Sequence, residues 1–242
     1  MGELGQAWEE NAAAWVAWAR APGHDSYWLF HRDLFLELVP PPPRRTLDLG
    51  CGEGRFARDL AAREYDVVGV DASPTMLAAA REAAPGMELH LADAAALPLD
   101  DASFELVIAF MSFQDVDDLP GAVREAARVL VPGGHLCLAI VHPLNSAGAF
   151  VRRTSDSPFV IEGSYLDESV TDDTFERDGL AMRFVSRHRP LQAYADELAA
   201  NGLLIERLRE PKQPEGPLDS HHSGRWRRIP LFLHLRAVKG AS

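Results

Sequence analysis

The sequence predicts an α/β fold: a three-layer, doubly wound, mostly parallel seven-stranded sheet with N-terminal helices and a lid insertion. Two observations predict this class. Short apolar runs alternate with helical stretches between residues 45 and 142, and short turns join them, which is the pattern of a parallel sheet covered on both faces. A glycine-rich turn also follows the first predicted strand, as at the ligand-binding edge of open α/β sheets.

The composition limits the possible partners. The 242 residues are 47% hydrophobic and 25% charged, which fits a single domain over residues 1–242. Lysine and arginine number 24 against 36 acidic residues, so the formal net charge is −12. Because nucleic-acid binding depends on basic surfaces that release counterions, we expect no nucleic-acid partner.

Cysteine usage and hydropathy predict a soluble, cytoplasmic protein. Cys51 and Cys137 lie far apart without metal-ligand spacing, and such sparse usage fits a reducing compartment. No apolar run approaches the roughly 18 residues of a membrane span. We therefore expect neither a metal nor a membrane partner, and we expect a monomer or a homodimer.

Two helical stretches form a predicted N-terminal cap, residues 1–44. Apolar residues recur at helical spacing over residues 3–20, namely Leu4, Trp8, Ala12, Trp15 and Trp18. A second stretch over about residues 28–38 stops at the prolines 40–43.

The core is predicted over residues 45–142. Its strands are expected at residues 46–49, 67–70, 88–91, 104–110 and 135–141. Its helices are expected at about residues 55–63, 74–84 and 119–130. Ser73 is expected to cap the second of these helices, with Pro74 at its first position.

Residues 143–188 interrupt this alternation and form a predicted substrate lid. The segment is polar, and Arg177-Asp178-Gly179 resembles a hairpin turn between two extended runs. Residues 189–242 then supply a helix ending at Gly202 and the last two strands, at 203–209 and 229–238. Insertions over a rigid sheet are where substrate lids usually lie.

The most informative motif is the turn that contains Gly50, Gly52 and Gly54. Alternating glycines between a strand and a helix let the backbone approach a ligand closely. A dinucleotide-binding fingerprint would place its third glycine at position 55, where this chain has Arg55. An NAD-dependent oxidoreductase is therefore the least favoured alternative.

Two carboxylates follow the turn at the ends of the next strands. Asp71 ends the second strand, near the roughly 20-residue offset of an acid that binds ribose hydroxyls. Asp93 ends the third strand, where it can accept a hydrogen bond from an adenine amino group. Each residue alone could be a turn or cap residue, but their order at one sheet edge favours an adenosine site.

These features resemble class I S-adenosylmethionine-dependent methyltransferases, of the type 11 group that includes ubiquinone-type and many natural-product enzymes. The matching stretches are LDLGCGEG (47–54), VVGVDASPTML (67–77), LADAAALPLDDASFELVIA (91–109) and RVLVPGGHLCLAI (128–140). The resemblance implies S-adenosylmethionine as cofactor, S-adenosylhomocysteine as product, and no metal. It also implies methyl transfer to an oxygen, nitrogen or carbon nucleophile of a small molecule.

The resemblance further implies which residues hold the cofactor, within the core at 45–142. Asp48 would support the methionine ammonium group, Asp71 the ribose diol, and Asp93 with Ala94 the adenine. Arg55 could pair with the methionine carboxylate, and Met76 could pack on the adenine. The implied set is Asp48, Gly50, Cys51, Gly52, Gly54, Arg55, Asp71, Ala72, Met76, Asp93, Ala94, Ala109 and Phe110.

His142 is the candidate catalytic base, because it ends the fifth strand beside the expected pocket and imidazole titrates near neutral pH. A histidine that is hydrogen-bonded at a strand end is the alternative. The expected substrate pocket contains Tyr27, His31, Phe113 and His142. The weaker candidate bases are His31, His188, His221 and His222.

Three further interpretations stay open. The chain could be an RNA or protein methyltransferase, although Ala109-Phe110-Met111-Ser112 lacks the Asn/Asp-Pro-Pro-aromatic signature of the nucleic-acid type. It could be a non-catalytic protein that binds the cofactor. The seven acids of residues 162–178 could steer a cationic substrate or only form a solvated lid.

Overall fold

The computed structural model describes residues 1–21, 23, 25–42, 44–215 and 224–241. The strands are β1 (Arg45–Leu49), β2 (Asp66–Asp71), β3 (Glu88–Leu91), β4 (Phe104–Phe110), β5 (Leu130–Val141), β6 (Ala149–Phe150), β7 (Phe159–Val160), β8 (Ser169–Arg177), β9 (Leu180–His188), β10 (Leu203–Arg209) and β11 (Phe232–Lys239). The α-helices are α1 (Glu3–Arg20), α2 (Arg32–Leu36), α3 (Arg55–Ala61), α4 (Pro74–Ala83), α5 (Leu119–Val129), α6 (Pro143–Ser146) and α7 (Leu191–Ala200). Single turns of other helix types lie at Tyr27–His31 (π) and at Phe113–Asp115 and Arg225–Arg227 (3₁₀).

Seven strands form one sheet in the order β10-β11-β5-β4-β1-β2-β3. The pairs from β5 to β3 are parallel, whereas β11 runs antiparallel to both β5 and β10. The predicted fold class is therefore confirmed. Because β1, β2 and β4 are parallel neighbours, their carboxyl ends share one edge, and the residues that follow these strands meet there.

Strand β4 shows why the sheet is covered on both faces. Val107 and Ala109 belong to the apolar cluster on one face, and Leu106 and Ile108 belong to the cluster on the other. All four side chains are fully buried. Alternate residues of a strand point to opposite faces, so an apolar run without polar alternation needs a packed layer on each side.

The N-terminal segment differs in detail from the prediction. Helix α1 forms as expected, and its aromatic side chains meet Phe184 of β9 with ring centroids 6.0–6.4 Å apart. The second predicted helix begins instead as a π-helical turn at Tyr27–His31 and continues as α2. Single π-helical turns often occur at functional sites, and this one places His31 on the inside.

Two other boundaries test the turn predictions. Asp178 and Gly179 both have positive φ angles, 51° and 77°, and join β8 to β9, which confirms the predicted hairpin. In contrast, β5 begins at Leu130, although the prediction began this strand at residue 135. Leu130 pairs with Phe104, and the register then shifts, so this start is an irregular strand.

No helix in the described part of the chain combines the length and the hydropathy that a bilayer span requires.

Candidate active site

The glycine turn after β1 requires glycine for steric reasons. Gly50, Gly52 and Gly54 have φ angles of 78°, 56° and 79°, in the left-handed region that glycine adopts without strain. A side chain at position 50 would also collide with Cβ of Ser112. The turn is fixed to β2, because the N–H groups of Gly50 and Cys51 both donate to the carbonyl oxygen of Val70, at 2.8 and 3.0 Å.

A first cavity of about 170 Å³, here called the turn cavity, lies between this turn, the ends of β2 to β4 and helix α1. Its predicted lining residues are Asp48, Gly50, Cys51, Gly52, Arg55, Asp71, Ala72, Met76, Asp93, Ala94 and Phe110. Two predicted residues lie elsewhere. Gly54 is the N-cap residue of α3, and Ala109 points into the core. Trp8, Ser112 and Asp117 also line the cavity and were missed, because packing of α1 onto the sheet edge leaves no local sequence signal.

Asp48 lies in a part of the turn cavity where burial disfavours its negative charge. Its side chain is 1% exposed, and its Oδ2 atom has no hydrogen-bond partner among the described residues. Burial, with a contribution from nearby Asp71, raises the pKa of this carboxyl to about 7. A buried carboxylate oxygen without a partner is costly, so a cationic group bound in the cavity would stabilise it.

Asp71 and Asp93 present two further carboxylates. Oδ2 of Asp71 accepts the N–H of Gly52 at 2.8 Å, and Oδ1 accepts the N–H of Ser73 at 2.8 Å. Each oxygen keeps acceptor capacity for a ligand hydroxyl. Asp93 is half exposed and accepts the N–H of Ala95 at 3.1 Å. Buried Asp48 can bind an ammonium group, Asp71 can accept hydrogen bonds from a sugar, and Asp93 can accept one from a base. Together the three carboxylates suit an amino-acid nucleoside.

Arg55 contacts protein groups, whereas the sequence analysis suggested that it could pair with the carboxylate of methionine. Its guanidinium forms an ion pair with Asp25 and lies over the rings of Trp15 and Tyr27, 4.9 and 4.2 Å from their centroids. Because Asp25 already balances its charge, this arginine joins the segment at Tyr27 to the glycine turn.

A second cavity of about 1050 Å³, here called the aromatic cavity, lies between α1, the π-helical turn, residues 145–189 and residues 225–232. Its aromatic lining residues are Trp8, Trp15, Trp18, Tyr27, Phe150, Phe175, Phe184, Tyr194, Trp226 and Phe232. The predicted pocket residues Tyr27 and His31 line it. Phe113 does not, because its side chain is fully buried in the core between the sheet and α5.

His142 also lies outside the lining of both cavities, contrary to its placement by the prediction. Its Nδ1 atom accepts the N–H of Leu144 at 3.0 Å and so caps α6, while Nε2 lies 2.9 Å from Oε1 of Glu210. Both ring nitrogens are therefore engaged in holding the end of β5. His188 is similarly engaged by Ser146, and His221 and His222 lie outside the described residues.

Five residues line both cavities, and we call this set the junction: Trp8, Trp15, Arg55, Met111 and Asp115. Met111 has a φ angle of 59°, a left-handed conformation that costs a residue other than glycine about 1–2 kcal/mol. Its N–H donates to the carbonyl oxygen of Ala139 at 2.8 Å, which holds it in place.

Asp115 is the junction residue with acid–base chemistry, and the sequence prediction missed it. Its Oδ1 atom accepts the hydroxyl of Ser186 at 2.6 Å, and its Oδ2 atom accepts Nε2 of Gln114 at 3.0 Å. Burial raises the pKa of this carboxyl to about 7, although the hydrogen bonds act in the opposite direction. The one signal in the sequence was its place just beyond β4, at the ligand-binding edge.

The charges around the aromatic cavity do not favour a cationic ligand. Its lining contains six arginines (Arg55, Arg152, Arg153, Arg187, Arg189 and Arg225) and four acids (Asp25, Asp115, Glu162 and Asp173). Of the acidic run at 162–178, only Glu162 and Asp173 reach the lining. His, Cys, Asp and Glu side chains in the described ranges form no group of three that could hold a metal ion.

The comparisons with known proteins agree with this geometry. Residues 47–138 match a family described as "Methyltransferase domain". A malonyl-[acyl-carrier protein] O-methyltransferase of Halorhodospira halophila is 42% identical over 113 residues, which are 45% of this chain and 38% of that protein. A demethylmenaquinone methyltransferase of Deinococcus radiodurans is 37% identical over 134 residues, which are 53% of this chain and 54% of that protein.

A solved structure extends the similarity beyond the core. An S-adenosylmethionine-dependent methyltransferase from Mesorhizobium loti superposes with a TM-score of 0.68 at 26% identity, covering 89% of this chain and 98% of that one. The matches to the two curated relatives, in contrast, span only 38% and 54% of their lengths. Each of those two matches therefore covers less than two thirds of the relative's own length.

Proposed function

We propose, on the premise that this chain belongs to the class I S-adenosylmethionine-dependent methyltransferases, that it methylates a small molecule bound in the aromatic cavity. The observation that supports this most is the junction. The cavity that fits an amino-acid nucleoside and the larger aromatic cavity share Trp8, Trp15, Arg55, Met111 and Asp115. A methyl donor and an acceptor held in these two cavities would meet at the junction.

The turn cavity would hold the cofactor. Asp48 would bind the ammonium group, Asp71 the ribose hydroxyls, and Asp93 the adenine amino group. When bound, S-adenosylmethionine supplies a methyl group that a positive sulfonium activates. Trp8 and Trp15 of α1 would cover the junction and exclude water from it. Positioning of two reactants alone can lower a barrier by roughly 7–11 kcal/mol in favourable cases.

The aromatic cavity supports a small acceptor. Among the described residues, ten aromatic side chains line it. Its volume of about 1050 Å³ is large enough for a molecule of several rings. Its excess of arginine over acidic residues favours a neutral or anionic acceptor. The acidic net charge of the chain disfavours RNA, the runner-up among acceptors. The residues 143–188 that line this cavity would act as its lid.

The test is a methylation assay with fractionated cell extract. The purified protein is incubated with S-adenosylmethionine and with the small-molecule, protein or RNA fraction, and formation of S-adenosylhomocysteine is measured. We expect product only with the small-molecule fraction, and less of it with Asp71→Ala at the same cofactor concentration. Methylation of the RNA or protein fraction would contradict the small-molecule proposal. Tight cofactor binding without turnover in any fraction would favour the non-catalytic alternative.

A further inference from the structure

The geometry points to Asp115 as the proton acceptor for an aromatic hydroxyl group, which would be the methyl acceptor in the aromatic cavity. This inference rests on the proposed function and names the substrate class for it. Asp115 belongs to the 3₁₀ turn between β4 and α5 and is part of the junction. Its carboxylate therefore lies where the donor and the acceptor of a methyl group would meet.

The hydrogen bonds of Asp115 leave its charge without a cationic partner. Its hydrogen-bond donors, Ser186, Gln114 and Trp8, are all neutral. No lysine, arginine or histidine nitrogen of the described residues lies within 4.0 Å of its oxygens. Arg189 lies near enough to act on it, but its guanidinium donates to the carbonyl oxygens of Phe113 and Val116, at 3.2 and 2.7 Å.

The groups that face Asp115 give it the properties of a base at neutral pH. Arg189 at the end of β9 stabilises its charged form, as do Ser186 of β9, Gln114 and Trp8 of α1. Tyr194 of α7 also faces it. Burial outweighs these effects and raises its pKa to about 7. A carboxyl with such a pKa can both take up and release a proton near neutral pH.

The surroundings of Asp115 favour an aromatic acceptor. Trp8 and Trp15 line the same junction, with ring centroids 5.8 Å apart in an edge-to-face arrangement, and Phe184 closes the cluster. Planar rings pack well against such walls. An aromatic hydroxyl also has a pKa of about 10, far closer to that of Asp115 than the value of an aliphatic alcohol, so its proton moves to the carboxylate more readily.

The proposed step balances as follows. The hydroxyl oxygen forms a bond to the methyl carbon while the carbon–sulfur bond breaks, and the electron pair of that bond stays on sulfur. The hydroxyl proton passes to a carboxylate oxygen of Asp115, which releases it to water when the product leaves. One positive sulfonium charge and one negative carboxylate charge disappear together, so the net charge of the site does not change.

The test compares two aromatic probes that differ only in whether the oxygen carries a hydrogen or a methyl group, 2-naphthol and 2-methoxynaphthalene. Calorimetric binding is measured with S-adenosylhomocysteine present, for the wild type, Asp115→Asn and Ser186→Ala. We expect the wild type to prefer the hydroxyl probe, and Asp115→Asn to lose about 10-fold or more in affinity for that probe alone, as when a hydrogen bond to a charged group is removed. Ser186→Ala should keep the preference, because it removes a donor to Asp115 and leaves the carboxylate.

A second readout is the pH dependence of hydroxyl-probe binding. In Ser186→Ala, loss of the hydrogen bond to Asp115 should move the midpoint of this pH dependence to higher pH. In Asp115→Asn, the pH dependence should disappear. A merely structural role of Asp115, tying the turn to β9, would instead make both variants lose affinity for both probes. That result, or failure of the hydroxyl probe to bind the wild type, overturns the inference. If S-adenosylhomocysteine itself fails to bind the wild type, the proposed function fails and this inference with it.

Discussion

The N–H of Gly52 donates to Oδ2 of Asp71 at 2.8 Å, so the glycine turn and the acid at the end of β2 form one unit. Both belong to the turn cavity, and Oδ1 of the same carboxylate holds the N–H of Ser73 at the start of α4. A single side chain thus fixes the shape of the turn and offers acceptors to a bound sugar.

Replacing Asp71 should weaken cofactor binding. We expect Asp71→Ala to lose about 1–3 kcal/mol of binding free energy for S-adenosylhomocysteine, because the ribose contact disappears and the N–H of Gly52 loses its acceptor. Calorimetry measures this loss. Asp66→Ala, at the exposed start of the same strand, is the matched control and should bind like the wild type. Unchanged affinity of Asp71→Ala would refute the assignment.

Replacing Asp48 should stabilise the fold and weaken cofactor binding. Its pKa is raised to about 7 in the folded protein, above the ordinary value of 3.8, so the contribution of this group to stability is complete below about pH 4 and is lost as the pH rises to about 7. Asp48→Asn should therefore be more stable than the wild type above about pH 7. It should also bind S-adenosylhomocysteine more weakly.

Methylthioadenosine, which lacks the amino-acid part of S-adenosylhomocysteine and so its ammonium group, is the control ligand for this variant. Asp48→Asn and the wild type should bind methylthioadenosine equally, because only the ammonium contact is changed. Thermal unfolding at several pH values gives the stability difference. Equal loss of affinity for both ligands would place Asp48 away from the ammonium group.

A methyl group at position 50 should destabilise the fold. Gly50→Ala forces a left-handed backbone on alanine and a collision with Ser112, and we expect a loss of about 2 kcal/mol or more in urea unfolding. Gly86 has open space around it and no positive φ, so Gly86→Ala should leave stability almost unchanged. Equal stability of the two variants would show that the turn can relax.

The stacked histidines should make stability sensitive to acid. The ring of His31 stacks on that of Phe232 with centroids 3.7 Å apart, and its Nε2 atom is buried without a hydrogen-bond partner among the described residues. Burial, helped by His234 and Arg55, lowers the pKa of His31 well below the usual value of 6.5. A depressed histidine pKa means that stability is full above about pH 6.5 and falls as the pH drops below it.

Phenylalanine at position 31 keeps the stacking and removes this titration. We expect unfolding free energies of His31→Phe to fall less than those of the wild type between about pH 8 and pH 5, by at most about 2 kcal/mol, since one pKa unit corresponds to about 1.4 kcal/mol. His90→Gln is the control, because His90 is partly exposed beside Glu88. Parallel pH curves for His31→Phe and the wild type would show that another group causes the acid loss.

Local signals explain what the sequence predicted correctly. Ser73 accepts the N–H of Met76 at 3.0 Å and caps α4, and the turn at Asp178 and Gly179 joins two paired strands, both as expected. Such caps and turns depend on neighbours within a few residues. The glycine turn and the acids at the strand ends were also found this way, because the order of parallel strands brings them to one edge.

The proposed proton acceptor, Asp115, could not be found from local signals. His142 is held by Glu210, 68 residues further along, and Asp115 meets Ser186, 71 residues further along. Whether a polar residue beyond a strand caps a helix or faces a cavity depends on such distant packing. The prediction therefore placed the base at His142, at the end of β5, whereas we propose Asp115, which follows β4.

The most direct test of the central claim is a calorimetric titration of the purified protein with S-adenosylhomocysteine and, separately, with NAD. Because the glycine turn, Asp48 and Asp71 surround a cavity suited to a nucleoside that carries an ammonium group, we predict binding of S-adenosylhomocysteine and no binding of NAD. Saturable binding of NAD together with indifference to S-adenosylhomocysteine would contradict the account.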